Sequence, residues 1–311
     1  MHIKIGTRGS KLALWQAYYV EELLQKGGLT TEIVIIETKG DKILDRSLSK
    51  IGSKGVFTEE LEDQLRFGGI DIAVHSAKDL QSSLPAEFEI LAFTEREQAN
   101  DVLVSYDKSL SLKSGKPFVV GTSSTRRVAV LKHFYPHIKT VDMRGNLQTR
   151  LRKLEEGQCD ALLLAYAGVH RMEYDDMIAE HLSLDEFTPA VGQGSVAIEC
   201  IASLDEEKKN TLRRLLNHPA SEVCLRAERA FLKYLQGGCS VPVFGLATST
   251  DGQLSVTGGI IRLNGSELLR RTQTGPDADA EQLGTALAEE LIAAGAGEIL
   301  AEIKSQQIQQ L

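Results

Sequence analysis

Residues 117–135 read PFVVGTSSTRRVAVLKHFY, and the reading of this stretch decides the fold. Three apolar residues at 118–120 make a short strand. Gly121, Thr122, Ser123 and Ser124 make a turn, and a helix over 124–135 follows with Arg126 and Arg127 in its first turn. Strand, small polar turn and helix form the building unit of an α/β sheet. The unit recurs around it. A strand is expected at 102–104, then 138–141, a helix over 146–156 stopped by Gly157, and a strand at 161–165. Such alternation predicts a largely parallel sheet covered on both faces, ending near Pro189 and the run Gly192-Gln193-Gly194.

The first 95 residues repeat the pattern. A strand at 3–5 leads to a helix over 11–25, where Leu12, Trp15, Tyr19 and Leu23 fall at helical spacing; Ser10 is a suitable N-cap and Gly27-Gly28 a stop. The apolar run 33–36 predicts a strand buried on both faces. Polar residues 38–55, with Gly40, Gly52 and Gly55, predict a long mobile loop, and loops of that length are often functional. A helix over 58–67 and a strand at 72–74 complete the block. After the glycine run come a strand at 196–201 and helices over 205–216 and 219–236. The pattern then changes to strands at 241–249, 253–262 and 267–274, with Asp251-Gly252 and Asn264-Gly265 as hairpin turns, and helices from about 279 and 296. The expected fold is therefore α/β: two α/β domains plus a C-terminal α+β domain with a three-stranded antiparallel sheet. The expected division is 1–96 with 193–216, then 97–192, then 217–311.

A chain of 311 residues, 42% hydrophobic and 25% charged, has the composition of an ordinary soluble protein and the length for two or three domains. Its net charge of −8 argues against a general binder of nucleic acid or anionic membrane. No apolar run approaches the roughly 18 residues of a transmembrane helix. The opening MHIKIGTRGS has no basic-then-apolar signal region, so a cytoplasmic protein is expected. None of the four cysteines, Cys159, Cys200, Cys224 and Cys239, forms a C-x-x-C pair or sits beside a histidine cluster, so neither a disulfide framework nor a metal site is expected. Three of them belong to apolar segments and read as core. Cys239 follows Gly237-Gly238 on a turn, where its thiol is placed for covalent chemistry.

Charge is unevenly spread. Residues 117–171 hold nine Lys or Arg against four Asp or Glu, a local +5 that leaves −13 on the rest. Arg126, Arg127 and Arg144 fall after strands, where open α/β sheets bind ligands. A helix N-terminus with paired guanidinium groups suits carboxylates or phosphates, whereas Arg152 and Lys153 fit a solvated helix face equally well. Neither a Walker nor a dinucleotide glycine fingerprint is present. The run His75-Ser76-Ala77-Lys78-Asp79 ends a buried strand. It is either a solvent-facing loop or, through Lys78 and Asp79, an acid/base or cation-stabilising pair at the mouth of the sheet.

Taken in order, GTRGSKLAL at 6–14, GSKGVF at 52–57, HSAKD at 75–79, GTSSTRR at 121–127, RGN at 144–146, PAVGQG at 189–194 and GGC at 237–239 make the chain resemble the porphobilinogen deaminase (hydroxymethylbilane synthase) family over essentially its whole length. The resemblance implies a transferase of tetrapyrrole and heme biosynthesis. Such an enzyme joins four porphobilinogen molecules head to tail with loss of ammonia and carries a dipyrromethane cofactor on a thioether to Cys239. It implies Asp79 as the central catalytic group, assisted by Lys78. Lys78, Asp79, Ser10, Thr122, Ser124, Arg126, Arg127 and Arg144 would hold the cofactor; Arg8, Gln16, Arg144, Arg150, Arg171 and Gln193 would meet substrate; Lys54 would lie in a mobile loop over the site. It also implies two domains like the lobes of periplasmic binding proteins, and no metal, nucleic-acid or membrane partner; a monomer is expected. Ala77, Gln81 and Thr125 depart from common residues of the family without altering a charged or nucleophilic position. Two rival readings are a non-enzymatic two-lobed binding protein for a polycarboxylate and an RNA-binding module. The first has no use for an accessible thiol, and the second lacks aromatic residues for base stacking, these being 5% of the chain.

Overall fold

Period and capping account for the helices. Ser10 accepts the Ala13 N–H at 3.3 Å and starts α1 (Lys11–Lys26). The structure, a computed structural model, describes residues 1–42, 58–238 and 241–309. In chain order the first lobe contains β1 (His2–Arg8), α1, β2 (Thr30–Ile36), α2 (Glu59–Arg66), β3 (Ile72–Ser76) and β4 (Phe88–Phe93). The second contains β5 (Asp101–Val104), β6 (Val119–Gly121), α3 (Thr125–Phe134), β7 (Lys139–Val141), α4 (Leu147–Glu155), β8 (Ala161–Ala165), α5 (Tyr166–Arg171) and β9 (Ile178–His181). The chain then returns to the first lobe as β10 (Val196–Ile201) and α6 (Glu206–Leu216). The last unit is α7 (Pro219–Tyr234), the meander β11 (Val243–Thr250), β12 (Gln253–Ile261) and β13 (Leu268–Pro276), and α8 (Ala280–Leu291) and α9 (Gly297–Gln309).

The two five-stranded sheets share one plan, with orders β2-β1-β3-β10-β4 and β7-β6-β8-β5-β9. In each, four strands run parallel and the fifth is antiparallel to them: β10 against β3 and β4, and β5 against β8 and β9. The sheets are largely parallel, as expected, with one antiparallel strand in each. The chain crosses between lobes twice, after β4 and after β9, and each strand arriving from the other lobe enters from the opposite end. The expectation for β2 is corrected, because it lies at the sheet edge with Ile35 57% exposed rather than buried on both faces. Strands β4 and β9 had no clear signal. FEILAF does not alternate, and IAEH is four residues long with two polar ones. The expected loop at 38–55 lies outside the described residues from 43 onward; Lys39–Lys42 is a short helical turn.

Each sheet has its own core. Ile3, Ile5, Val20, Ile72 and Ile198 fill the first lobe. The second sheet is packed on both faces, by Leu103, Leu131 and Phe187 on one side and Val102, Met143 and Leu162 on the other. Phe231, Val256, Ile260 and Leu287 fill the last unit. Cys159, Cys200 and Cys224 are buried thiols in these cores.

One fully buried carboxylate ties the units together. Glu228 on α7 accepts both Arg96 Nη groups, from the first crossing, at 2.5 and 3.2 Å. It also accepts the N–H of Gly192, on the second crossing, and of Ala247 on β11, each at 2.8 Å.

Candidate active site

Parallel strands of both lobes end facing one another, and the space between them is a cleft of about 1040 Å³. The first lobe contributes Arg8 from the end of β1, Ser10 from the cap of α1, and Lys78 and Asp79 from the 3₁₀ turn Ala77–Asp79 that follows β3. The second contributes Ser124, Arg126 and Arg127 at the start of α3, Arg144 after β7 and Arg150 on α4. Gln193 enters from the second crossing, and Gly237, Gly238 and Val241 from the last unit. Gly237 and Gly238 thus bring the chain to the cleft wall immediately before Cys239, which lies, like Lys54, outside the described residues.

The turn before α3 is self-contained. Ser124 caps the helix by accepting the Arg127 N–H at 3.5 Å, and buried Thr122 accepts the Ser124 N–H at 3.3 Å. The arginine pair behind it is buried and committed. Arg126 donates to Asp101 Oδ2 at 2.8 Å and to the Thr188 carbonyl at 3.0 Å. Arg127 donates to Asp101 Oδ1 at 2.7 Å and to the Leu163 carbonyl at 2.9 Å. Gln193 Nε2 donates to Asp101 Oδ1 at 2.9 Å. Burial opposes the charge on Asp101, but the two guanidinium groups and these hydrogen bonds hold its carboxyl well below the usual carboxylate range. The sequence reading passed over Asp101. Its signal was an acidic residue opening an otherwise apolar strand, DVLV, beside a basic segment.

Positive character still faces the cleft. Arg127 Nε and Arg144 Nη1 are buried without a hydrogen-bond partner among the described residues. Burial lowers the Arg150 guanidinium to about 10, helped by nearby Arg127, while its Nε donates to the Gly145 carbonyl at 2.8 Å. Burial likewise lowers the Lys78 amine to about 8 against the opposing pull of Asp79. Orphaned guanidinium donors and a desolvated ammonium fit a ligand bearing several carboxylates, so the residues present suit a dipyrromethane with its acetate and propionate groups. Asp79 is exposed in the cleft rather than buried. A carboxylate there meets whatever fills the cleft, and becomes desolvated only when the cleft is filled.

Two expected substrate residues point elsewhere. Gln16 is buried under the cleft floor, donating to Ser76 Oγ at 2.9 Å. Arg171 lies in a neighbouring recess, stacked on Trp15. The PAVGQG run acts on the HSAKD turn. Gly192 has φ +79, and a Cβ there would stand 2.8 Å from the Ala77 carbonyl carbon and 2.9 Å from Lys78 N.

Comparison with known proteins bears on this cleft directly. The domain described as porphobilinogen deaminase, dipyromethane cofactor binding domain, matches residues 3–210, and the porphobilinogen deaminase C-terminal domain matches residues 222–293. A porphobilinogen deaminase of Cytophaga hutchinsonii is 61% identical over 97% of both chains. Another, from Desulfosudis oleivorans, is 53% identical over 99% of both. Among solved structures, the periplasmic VFT2 domain of Bordetella pertussis BvgS is similar at 18% identity and TM-score 0.43, over 69% of this chain and 86% of that one.

Proposed function

This chain belongs to the porphobilinogen deaminase family, a family of transferases with a dipyrromethane cofactor, and from that premise we propose how its own residues divide the work. The observation that carries the reading is the cleft itself, where Asp79 and Lys78 share the lining with Arg127 and Arg144, each of which keeps one buried guanidinium nitrogen without a hydrogen-bond partner among the described residues. Each porphobilinogen brings two carboxylates, so a growing chain needs many fixed cations, and an acidic protein concentrates them here. The bound dipyrromethane supplies the pyrrole end to which units are added.

Arg127 Nε, Arg144 and Lys78 hold carboxylates by charge-assisted hydrogen bonds, each worth roughly 1.5–3 kcal/mol. Ser10 and Ser124 add hydroxyl contacts, and Arg8 and Arg150 face the incoming unit. Asp101 pairs with and orients Arg126 and Arg127, so Arg126 serves mainly the wall of the site. When ammonia leaves porphobilinogen, positive charge develops on its methylene carbon. The Asp79 carboxylate stands where that charge appears and stabilises it, more strongly as substrate displaces water. Cys239, next to the cleft-lining Gly237 and Gly238, is the tether. Residues 1–96 with 193–216, 97–192 and 217–311 are the three domains in this reading, which agrees with the membership of the three sheets. Among the described residues no helix is long and apolar enough to cross a membrane. The same reading takes the protein to be a cytoplasmic monomer needing no metal or nucleic acid.

The test combines intact mass with kinetics. Purified protein should exceed its polypeptide mass by two pyrrole units, Cys239→Ser should remove the excess, and Cys200→Ser should keep it. Asp79→Asn should retain the cofactor and lose about 10²–10³-fold in single-turnover rate with porphobilinogen. Active protein with bare polypeptide mass, or a near-normal rate for Asp79→Asn, refutes these assignments.

A further inference from the structure

We propose that Trp15 is a positioning residue for this reaction, holding Arg171 of the opposite lobe as a clasp that closes the cleft; the proposal rests on the function assigned above. Trp15 belongs to α1 of the first lobe and Arg171 ends α5 of the second, with the guanidinium carbon 5.1 Å from the indole centroid. Arg171 Nη2 also donates to the Gly194 carbonyl at 2.7 Å. Gly194 lies on the second crossing, so the stack on Trp15 is the contact that separation of the lobes breaks. The two helices meet along this rim, since a Cβ on Gly168 of α5 would stand 3.6 Å from Leu12 Cδ2 on α1. Tyr19 stacks on Trp15 at 5.5 Å and fixes the indole.

Arg171 is half-buried, and burial lowers its guanidinium, an effect that Glu97 and Tyr19 oppose, so this cation is partly withdrawn from water. An aromatic face attracts a desolvated guanidinium more strongly than a hydrated one. The recess that holds the pair, about 380 Å³, adjoins the main cleft and shares no lining residue with it. Arg171 therefore acts on the reaction by keeping the lobes together. A weaker clasp lowers the population of the closed, binding-competent form, and the apparent affinity for substrate falls by the same factor.

Trp15 is the sole tryptophan of the chain, so its emission reports the clasp. In the holoenzyme, Trp15→Leu should raise KM for porphobilinogen about tenfold, with kcat within about twofold and the cofactor mass unchanged. Trp15→Tyr keeps an aromatic face and should recover most of the loss. Arg171→Met should shift Trp15 emission to the red and increase its quenching by acrylamide. A wild-type KM for Trp15→Leu, a parallel loss of kcat and cofactor, or unchanged emission and quenching in Arg171→Met would overturn the clasp. If the wild-type protein consumes no porphobilinogen, the functional reading fails, while the emission of Arg171→Met still decides whether the clasp forms.

Discussion

Asp101 shows how one carboxylate decides what an arginine pair can do. Fully buried, it takes one hydrogen bond from each of Arg126 and Arg127 and one from Gln193. Removing its charge would leave two buried cations against each other. Asp101→Asn should therefore cost about 3–5 kcal/mol of stability at pH 7, measured by urea unfolding. The folded carboxyl titrates below its unfolded value near about 4. The stabilisation is thus complete above that pH and is lost progressively as pH falls through the depressed folded value. The gap between wild type and variant should narrow from about pH 4 downward. A gap that stays constant into acid would exclude Asp101 as the counterion.

Among the elements, the 3₁₀ turn after β3 depends on a glycine over a hundred residues away. Gly192 packs against Ala77 and Lys78 with no room for a side chain, at a φ of +79 that disfavours one in any case. Gly192→Ala should push the turn that carries Lys78 and Asp79. A displacement of about 1 Å at reacting groups can cost about a hundredfold in rate. We expect kcat to fall by that order while the cofactor stays attached and circular dichroism is unchanged. Wild-type turnover in Gly192→Ala would show that the turn can yield without consequence. The N-caps behave more simply: Ser10 and Ser124 start their helices as their residue types require.

For the molecule as a whole, Glu228 is the point where both crossings and the last unit meet. Glu228→Gln would leave Arg96 uncompensated and weaken hydrogen bonds to Gly192 and Ala247 together. The expected result is a loss of about 3–5 kcal/mol, with hydrogen-exchange protection falling at 94–97, 192–195 and the start of β11. Protection lost in the last unit alone would place the tie elsewhere. Most of this architecture could be read beforehand from local patterns. Strand–turn–helix units, Asp251-Gly252 and Asn264-Gly265, and the apolar faces of α1 and α7 are set by neighbours within a few residues. The ordered glycine and basic motifs likewise carried the family, because each lies within one short segment. Side-chain partners were a different matter. That Arg126 and Arg127 turn inward to Asp101, that Asp79 stands exposed, that Arg171 leaves the cleft for Trp15, and that β2 is an edge all follow from which segments meet across the sheets. Residues 25 or more positions apart make those contacts, and periodicity, capping and turn chemistry act over one or two turns of chain. The local terms chose the elements, and burial and charge pairing between distant elements chose the site.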